Sequence, residues 1–167
     1  MTVTSNDFKA VLRHFPSGVT VVTMNADGAK HGLTVSAFAS ISPTPPLIMV
    51  AIDQKNRSED YLQREGATFA VNILAEDQQE ISNRFAWSKE DRFGLGDWTT
   101  SVTGAPILED ALAWLDCKIH AHYPAGTHTI YVGEVVASHV PRPGEAPLIY
   151  WNRDYRELDL AEEAMLG

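Results

Sequence analysis

Cysteine is almost missing from this chain, and positive charge is scarce. Cys117 is the only cysteine in 167 residues, which excludes an internal disulfide and a multi-cysteine metal cluster. It lies in an apolar run at 115–119, so it is interpreted as a small core residue and not as a nucleophile. The chain has 13 Lys and Arg against 22 Asp and Glu, for a formal net charge of -9. An acidic chain without a basic block repels phosphate backbones and anionic lipid, so no nucleic-acid or membrane partner is expected.

Long hydrophobic runs and several catalytic motifs are missing as well. No window approaches the roughly 18 apolar residues of a membrane helix, and residues 1–7 do not resemble a signal peptide. A cytoplasmic protein is therefore expected. The motifs G-x-G-x-x-G, G-x-x-x-x-G-K-[ST], H-E-x-x-H and G-x-S-x-G do not occur. Their absence argues against Rossmann cofactor binding, P-loop chemistry, zinc proteolysis and the hydrolase elbow.

Strand-forming segments dominate what the chain does contain. Apolar spacing predicts helices between residue 5 and the break at 16–18, and again over 76–85. Strands are predicted over 19–24, 33–41, 47–52, 68–73, 113–123, 129–138 and 148–151, with turns at 25–28 and 124–126. The length of 167 residues favours one domain over 1–167. Short turns join most neighbours and strand-helix alternation is missing, so the predicted architecture is mainly β, a closed antiparallel barrel with peripheral helices. The tail at 159–164 is predicted to be a helix or a frayed end.

Hydroxyl groups recur at alternate positions of the strand predicted over 33–41. A strand sends successive side chains to opposite faces. One face carries three hydroxyls and an aromatic ring: Thr34, Ser36, Phe38 and Ser40. The other face is apolar: Val35, Ala37, Ala39 and Ile41. The first face is either a solvent-exposed strand face or a wall that hydrogen-bonds a heteroaromatic ring or a phosphate, and the pattern leaves both open.

A second segment combines two cations with a predicted helix start. Lys55, Asn56 and Arg57 precede Ser58, which is predicted to cap a short helix ending near Glu65. This arrangement fits a phosphate site as well as it fits a solvated loop. Farther along the chain, Arg84 places another cation beside Phe85, although the Phe85 ring is interpreted as core.

A third segment places a histidine directly after a tight turn. His128 is either structural or able to hydrogen-bond a substrate and move a proton. His120 and His122 would share a strand face, yet no third ligand follows with a recognisable spacing. No metal site is expected.

Five segments of the chain form an ordered set of motifs. They span 15–23, 32–40 with 45–47, 69–74, 126–135 and 147–156. In this order they resemble the flavin reductase-like family over nearly the whole chain. At one place the chain departs from that family, which usually has Gly-Asp-His where this sequence has Gly126-Thr127-His128. Thr127 can still cap the turn and form a hydrogen bond.

The resemblance implies a flavin-binding split β-barrel, antiparallel and Greek-key-like, with peripheral helices and usually a homodimer. The implied activity is reduction of FMN or FAD by NADH or NADPH, with the reduced flavin passing to a partner flavin-dependent monooxygenase. A flavin-binding protein or electron carrier without nicotinamide turnover is the alternative.

Carried onto this sequence, the resemblance implies two sets of site residues. The implied flavin contacts are Thr34, Val35, Ser36, Ala37, Phe38, Ser40 and Ile41 on the strand, Lys55, Asn56, Arg57 and Ser58 at the phosphate, and Arg84 and Phe85. The implied nicotinamide contacts are His128, also the expected catalytic residue, Tyr150, Trp151 and Tyr155.

Overall fold

β-Strands make up most of the regular structure in a computed structural model that describes residues 2–160. The strands are β1 (Ser17–Gly18), β2 (Thr20–Ala26), β3 (Ala29–Val35), β4 (Phe38–Pro43), β5 (Pro46–Asp53), β6 (Thr68–Ile73), β7 (Trp98–Thr100), β8 (Pro106–Leu108), β9 (Ala113–Ala125), β10 (His128–His139), β11 (Ile149–Trp151) and β12 (Asp154–Arg156). The helices are α1 (Ser5–Leu12), α2 (Glu59–Leu62) and α3 (Gln79–Trp87). Over residues 2–160, the helices are too short or too polar to cross a bilayer. Most of the tail at 159–164 lies outside the described residues.

Seven strands form one antiparallel sheet in the order β3-β2-β6-β9-β10-β5-β4. Side chains from both halves of this sheet meet in a single buried cluster that includes Val22, Val50, Phe69 and Tyr131. The sheet therefore curls around a core of its own. Its two edge strands, β3 and β4, follow each other in the chain, but within the described residues no ladder joins them. The mainly β, antiparallel prediction is confirmed, and the barrel predicted to be closed is split along the seam between β3 and β4.

A second core lies outside the barrel, under α3. Successive side chains of a strand point to opposite faces, so β2 serves both cores. Val22 and Met24 enter the barrel, whereas Val19 and Val21 pack with Phe85 of α3. This explains why the first five residues of β2 are all buried, instead of being buried at alternate positions. The second core fixes the position of α3 on the sheet.

The strand predicted over 33–41 is wrong in one respect, because the chain breaks it at the seam. The Phe38 amide donates to the Ser36 carbonyl oxygen at 2.9 Å, a three-residue turn that separates β3 from β4. The alternation of faces is reset there. Phe38 packs against the barrel core with Val35, while Ala37 and Ile41 of the predicted apolar face are exposed.

Short elements and one turn also differ from the prediction. The turn before β10 consists of Gly126 and Thr127, with φ of 64° at Gly126, and not of residues 124–126. Asn152 and Arg153 form the turn between β11 and β12, both with positive φ. Sequence periodicity missed β1, β7, β8 and β12, because strands of two or three residues carry too few side chains to show a pattern.

Helix α1 forms as predicted but buries none of its side chains. The sequence predicts the cap at Ser5 or Asn6, but the N-cap is Thr4, whose hydroxyl accepts from the Asp7 amide at 3.1 Å. The apolar side chains that define its face are exposed: Phe8, Val11, Leu12 and Phe15. This stripe of α1 is therefore available to a ligand or to another chain.

Close packing of the barrel core gives a stability prediction. A Cβ at Gly133 would lie 2.6 Å from Phe69 Cζ and 3.1 Å from Cys117 Cβ. Both neighbours are fully buried, and burial raises the pKa of the Cys117 thiol to about 12, which confirms Cys117 as a core residue. Because neither neighbour can move aside, we expect Gly133→Ala to lower the free energy of unfolding by about 1–3 kcal/mol in urea denaturation.

The matched control is Gly18→Ala, because a Cβ at Gly18 would meet no atom within 4 Å. Its urea midpoint should stay close to that of the wild type. If the two variants unfold at the same urea concentration, the close packing of Phe69 and Cys117 around Gly133 is contradicted.

Candidate functional site

Three cavities adjoin one another beside the seam, because they share lining residues. Cavity A has a volume of about 300 Å³ and shares Ser36 and Tyr150 with cavity B, of about 520 Å³. Cavity B in turn shares Lys9 and Met49 with cavity C, of about 740 Å³. The three form one groove, which we call the seam groove and which runs from α3 to α1.

Helix α3 forms one wall of cavity A because it lies directly on β3. A Cβ at Gly32 would lie 2.6 Å from the Phe85 ring, so this approach requires glycine. Phe85 is buried and packs edge-on against Phe93, with ring centroids 5.1 Å apart. The Thr34 hydroxyl donates to the Ser82 carbonyl oxygen at 2.6 Å and joins β3 to α3. Thr34 therefore lines the cavity with its proton already engaged, and can only accept from a ligand.

Arg92, and not the predicted Arg84, is the cation of cavity A. Arg84 forms a salt bridge with Glu90 at 2.8 Å and does not line the cavity. Successive helix residues point about 100° apart, so with Phe85 facing the core Arg84 points to the side. The Arg92 guanidinium lines the cavity and donates to the Gly32 carbonyl oxygen at 2.6 Å. Arg92 lies in a 3-10 turn, where no periodic signal marks it in the sequence.

The β11–β12 hairpin supplies the aromatic wall between cavities A and B. Tyr150 borders both cavities, and its ring packs edge-on against Tyr155 at 5.3 Å. The hydroxyls of Tyr155 and Ser82 lie 2.8 Å apart, which holds the hairpin against α3. On the other side, the Trp151 indole N–H donates to the His14 carbonyl oxygen at 3.2 Å. These two hydrogen bonds hold the hairpin in place at both ends of the aromatic wall.

His128 lines cavity C, apart from the three aromatic residues predicted to act with it. It opens β10 and is exposed, and its carbonyl oxygen accepts from the Gln54 carboxamide at 3.0 Å. Its ring atom Nδ1 lies 2.9 Å from the Thr127 hydroxyl. Thr127 therefore contacts the histidine ring from the sequence position at which the family usually has a carboxylate.

The loop at 55–58 contributes only Asn56 to cavity A. The Asn56 carboxamide oxygen accepts from the Ser58 amide at 3.0 Å, and the Asp53 carboxylate accepts from the Lys55 amide at 2.9 Å. Ser58 occupies the N-cap position as predicted, but its buried side chain makes no cap hydrogen bond. The helix that follows has four residues.

The structure brings together about half of the implied site residues. Cavity A contains Thr34, Ser36, Asn56, Phe85, Tyr150 and Tyr155. Cavity B contains Ser36, Ala37, Phe38, Tyr150 and Trp151. The implied flavin contacts that line neither cavity are Val35, Ser40, Ile41, Lys55, Arg57, Ser58 and Arg84. The side chain of Val35 belongs to the barrel core.

The groove is free of negative charge in an otherwise acidic protein. Within the described part of the chain, no carboxylate lines cavity A or cavity B. Aromatic rings and neutral hydroxyls form the walls of cavity A, with one guanidinium. This donor set fits a flat heteroaromatic ring that carries carbonyl groups and a phosphate-bearing chain, which are the parts of a flavin.

Comparison with known proteins agrees with this geometry. Residues 12–159 match the model of the flavin reductase like domain. The chain is 39% identical over 165 residues to a flavin reductase (NADH) of Kitasatospora aureofaciens, which covers 96% of this chain and 85% of the relative. It is 34% identical over 153 residues to HsaB, the reductase subunit of a flavin-dependent monooxygenase of Mycobacterium tuberculosis, covering 91% and 81% of the two chains.

A solved structure extends the comparison to three dimensions. The NADH:FAD oxidoreductase SgcE6 of Streptomyces globisporus, in complex with NAD and FAD fragments, has a TM-score of 0.87 and 31% identity. The match covers 97% of this chain and 99% of that chain. Fold, sequence and site agree, and the chain belongs to the flavin reductase-like family.

Proposed function

We propose that this protein catalyses the reduction of free FMN or FAD by NADH or NADPH and supplies the reduced flavin to a partner flavin-dependent monooxygenase. The observation that carries the proposal is the seam groove, in which two cavities without carboxylates meet at Ser36 and Tyr150. Hydride transfer requires two ring systems to lie face to face, and two adjoining cavities supply that room. The relatives from Kitasatospora aureofaciens and Mycobacterium tuberculosis are reductases of the same kind.

Cavity A is the proposed flavin site. Bound flavin supplies the redox chemistry, because its ring accepts the hydride of the nicotinamide. The protein contributes position and charge: Phe85, Tyr150 and Ser36 line the cavity. Arg92 places a positive charge in the same cavity, where it stabilises negative charge that develops on a reduced ring.

Cavities B and C are the proposed path of the nicotinamide dinucleotide. Tyr150 and Trp151 border cavity B, and His128 lies farther along the groove in cavity C. Tyr155, which faces cavity A, joins the flavin contacts in this proposal. His128 remains the proposed catalytic residue and acts as a hydrogen-bond donor to the dinucleotide, with its ring oriented by Thr127.

A homodimer in the cytoplasm is part of the same proposal. Exposed apolar side chains that line none of the three cavities support the dimer, Val11 of α1 among them with 69% exposure, because such side chains mark interfaces. The single cysteine, free and buried, supports a reducing compartment.

The direct test of the proposal is oxidation of NADH and of NADPH by purified protein, each with FMN, with FAD and without added flavin. We expect the loss of nicotinamide absorbance to accelerate when flavin is added, because free flavin is the second substrate. If neither NADH nor NADPH were oxidised in any mixture, the proposal would be overturned. If the inactive protein still bound flavin tightly, it would be a flavin carrier.

The Ser36 hydroxyl gives a residue-level test of the flavin site. Because Ser36 lines both cavities and is replaceable without touching the core, we expect Ser36→Ala to raise the Kd of FMN about two- to tenfold. Fluorescence titration of FMN measures this. Ser138→Ala, an exposed serine of β10 outside the groove, should bind FMN like the wild type. Equal affinities of the two variants would place the Ser36 hydroxyl away from the flavin.

A further inference from the structure

A fourth cavity, which we call cavity D, lies behind the strand that carries His128. It has a volume of about 450 Å³. Thr129 lines cavity D, whereas its neighbours His128 and Ile130 line cavity C. Successive residues of a strand point to opposite faces, so cavities C and D lie on opposite sides of β10. The residues of cavity D therefore reach His128 from behind, without entering cavity C.

Gln54 of cavity D holds the backbone on both sides of the His128 Cα atom. It follows Asp53, the last residue of β5, which pairs with His128. The Gln54 backbone amide donates to the Thr127 carbonyl oxygen at 3.0 Å, and its side-chain carboxamide donates to the His128 carbonyl oxygen at 3.0 Å. These two oxygens belong to the peptide groups before and after the His128 Cα atom. Together the two hydrogen bonds set the direction in which the imidazole leaves the backbone.

A buried carboxylate holds the next residue of the strand. Glu59 is only 6% exposed, and its Oε2 atom accepts from the Thr129 hydroxyl at 3.0 Å and from the Gln63 carboxamide at 2.6 Å. The salt bridges within residues 2–160 do not involve Glu59. A buried charge without a cation depends on its hydrogen bonds, so breaking the contact with Thr129 is costly. This contact anchors β10 directly after His128.

The His128 ring has little support of its own in cavity C. The residue is exposed, so packing does not fix the ring. In the part of the chain that the structure describes, the ring has one hydrogen bond, between Nδ1 and the Thr127 hydroxyl. The position of the imidazole therefore depends on the backbone at residue 128, and that backbone is held from cavity D.

We propose that Gln54 is a positioning residue, whose carboxamide places the His128 imidazole for the dinucleotide in cavity C. The inference rests on the role of His128 in the proposed function. Gln54 lines none of cavities A, B and C, so it acts through the histidine and not on a substrate. A small displacement of a group that contacts substrate lowers the rate of the reaction, so a hydrogen bond that prevents the displacement contributes to turnover.

The variant Gln54→Ala removes the carboxamide and keeps the backbone amide, so the hydrogen bond to Thr127 remains. The side chain is exposed, and its loss leaves no hole in the core. We expect kcat/KM for NADH, measured with FMN in excess, to fall about three- to tenfold, the effect of losing one neutral hydrogen bond. The Kd of FMN should stay within twofold. The matched control is Gln79→Ala, an exposed glutamine of α3 outside all four cavities, which should behave like the wild type.

A double-mutant cycle with His128→Ala separates positioning from a general structural role. Gln54→Ala should divide its effect between KM and kcat in the same proportion as His128→Ala does. In the His128→Ala background, Gln54→Ala should change kcat/KM by less than twofold, because the imidazole through which it acts is gone. An equal loss in both backgrounds would overturn the inference, as would a Gln54→Ala variant with the kcat/KM of the wild type.

Hydrogen exchange at the amides of residues 126–129 supplies a readout that does not depend on turnover. Exchange should be faster in Gln54→Ala than in the wild type and unchanged in Gln79→Ala. Equal exchange in all three proteins would contradict the inference. If the wild type oxidised neither NADH nor NADPH, the proposed function would fail, and faster exchange in Gln54→Ala would still show that the carboxamide holds His128.

Discussion

The contact between Gly32 and the Phe85 ring is the constraint on which the candidate site depends. Because Gly32 has no side chain, α3 lies directly on β3, and the second core seals this contact from the other side. The helix then meets Thr34 through the Ser82 carbonyl oxygen and Tyr155 through the Ser82 hydroxyl. Arg92 is held by the Gly32 carbonyl oxygen itself. The close approach of Phe85 to Gly32 thus sets three parts of cavity A. These are the wall formed by α3, the position of Arg92, and one end of the aromatic β11–β12 hairpin.

Charge is distributed in a way that turns an acidic protein into a binder of anions. In the described part of the chain, the cations that form salt bridges lie on the outer surface. Arg142, for example, pairs with Asp77. The cations of the groove are not engaged in this way, and no carboxylate lines cavities A and B beside them. Flavins and nicotinamide dinucleotides are both anions with flat rings. The groove combines a locally positive lining with aromatic walls, which suits both substrates at once.

Sequence reasoning succeeded where a signal is local and periodic. It placed β6 at its observed bounds and found α3 from the spacing of Ile81 and Phe85, because these patterns extend over many residues. It did not detect the break between β3 and β4, because a turn of three residues is too short to interrupt the alternating pattern in the sequence. It also missed the contact of α1 with the β11–β12 turn, where Arg13 and Asn152, about 140 positions apart in the sequence, meet through a backbone hydrogen bond. The resemblance identified the family, but it did not show which residues line the groove, because that depends on tertiary packing.

Binding of FMN to Gly32→Ala tests the central claim most directly, with Gly133→Ala as its comparison. In each variant the new Cβ would lie 2.6 Å from a buried phenylalanine ring, but only the ring at Gly32 belongs to cavity A. Fluorescence titration of folded protein should show FMN affinity lowered about tenfold or more in Gly32→Ala and unchanged in Gly133→Ala. If both variants bound FMN like the wild type, the assignment of cavity A as the flavin site would be contradicted.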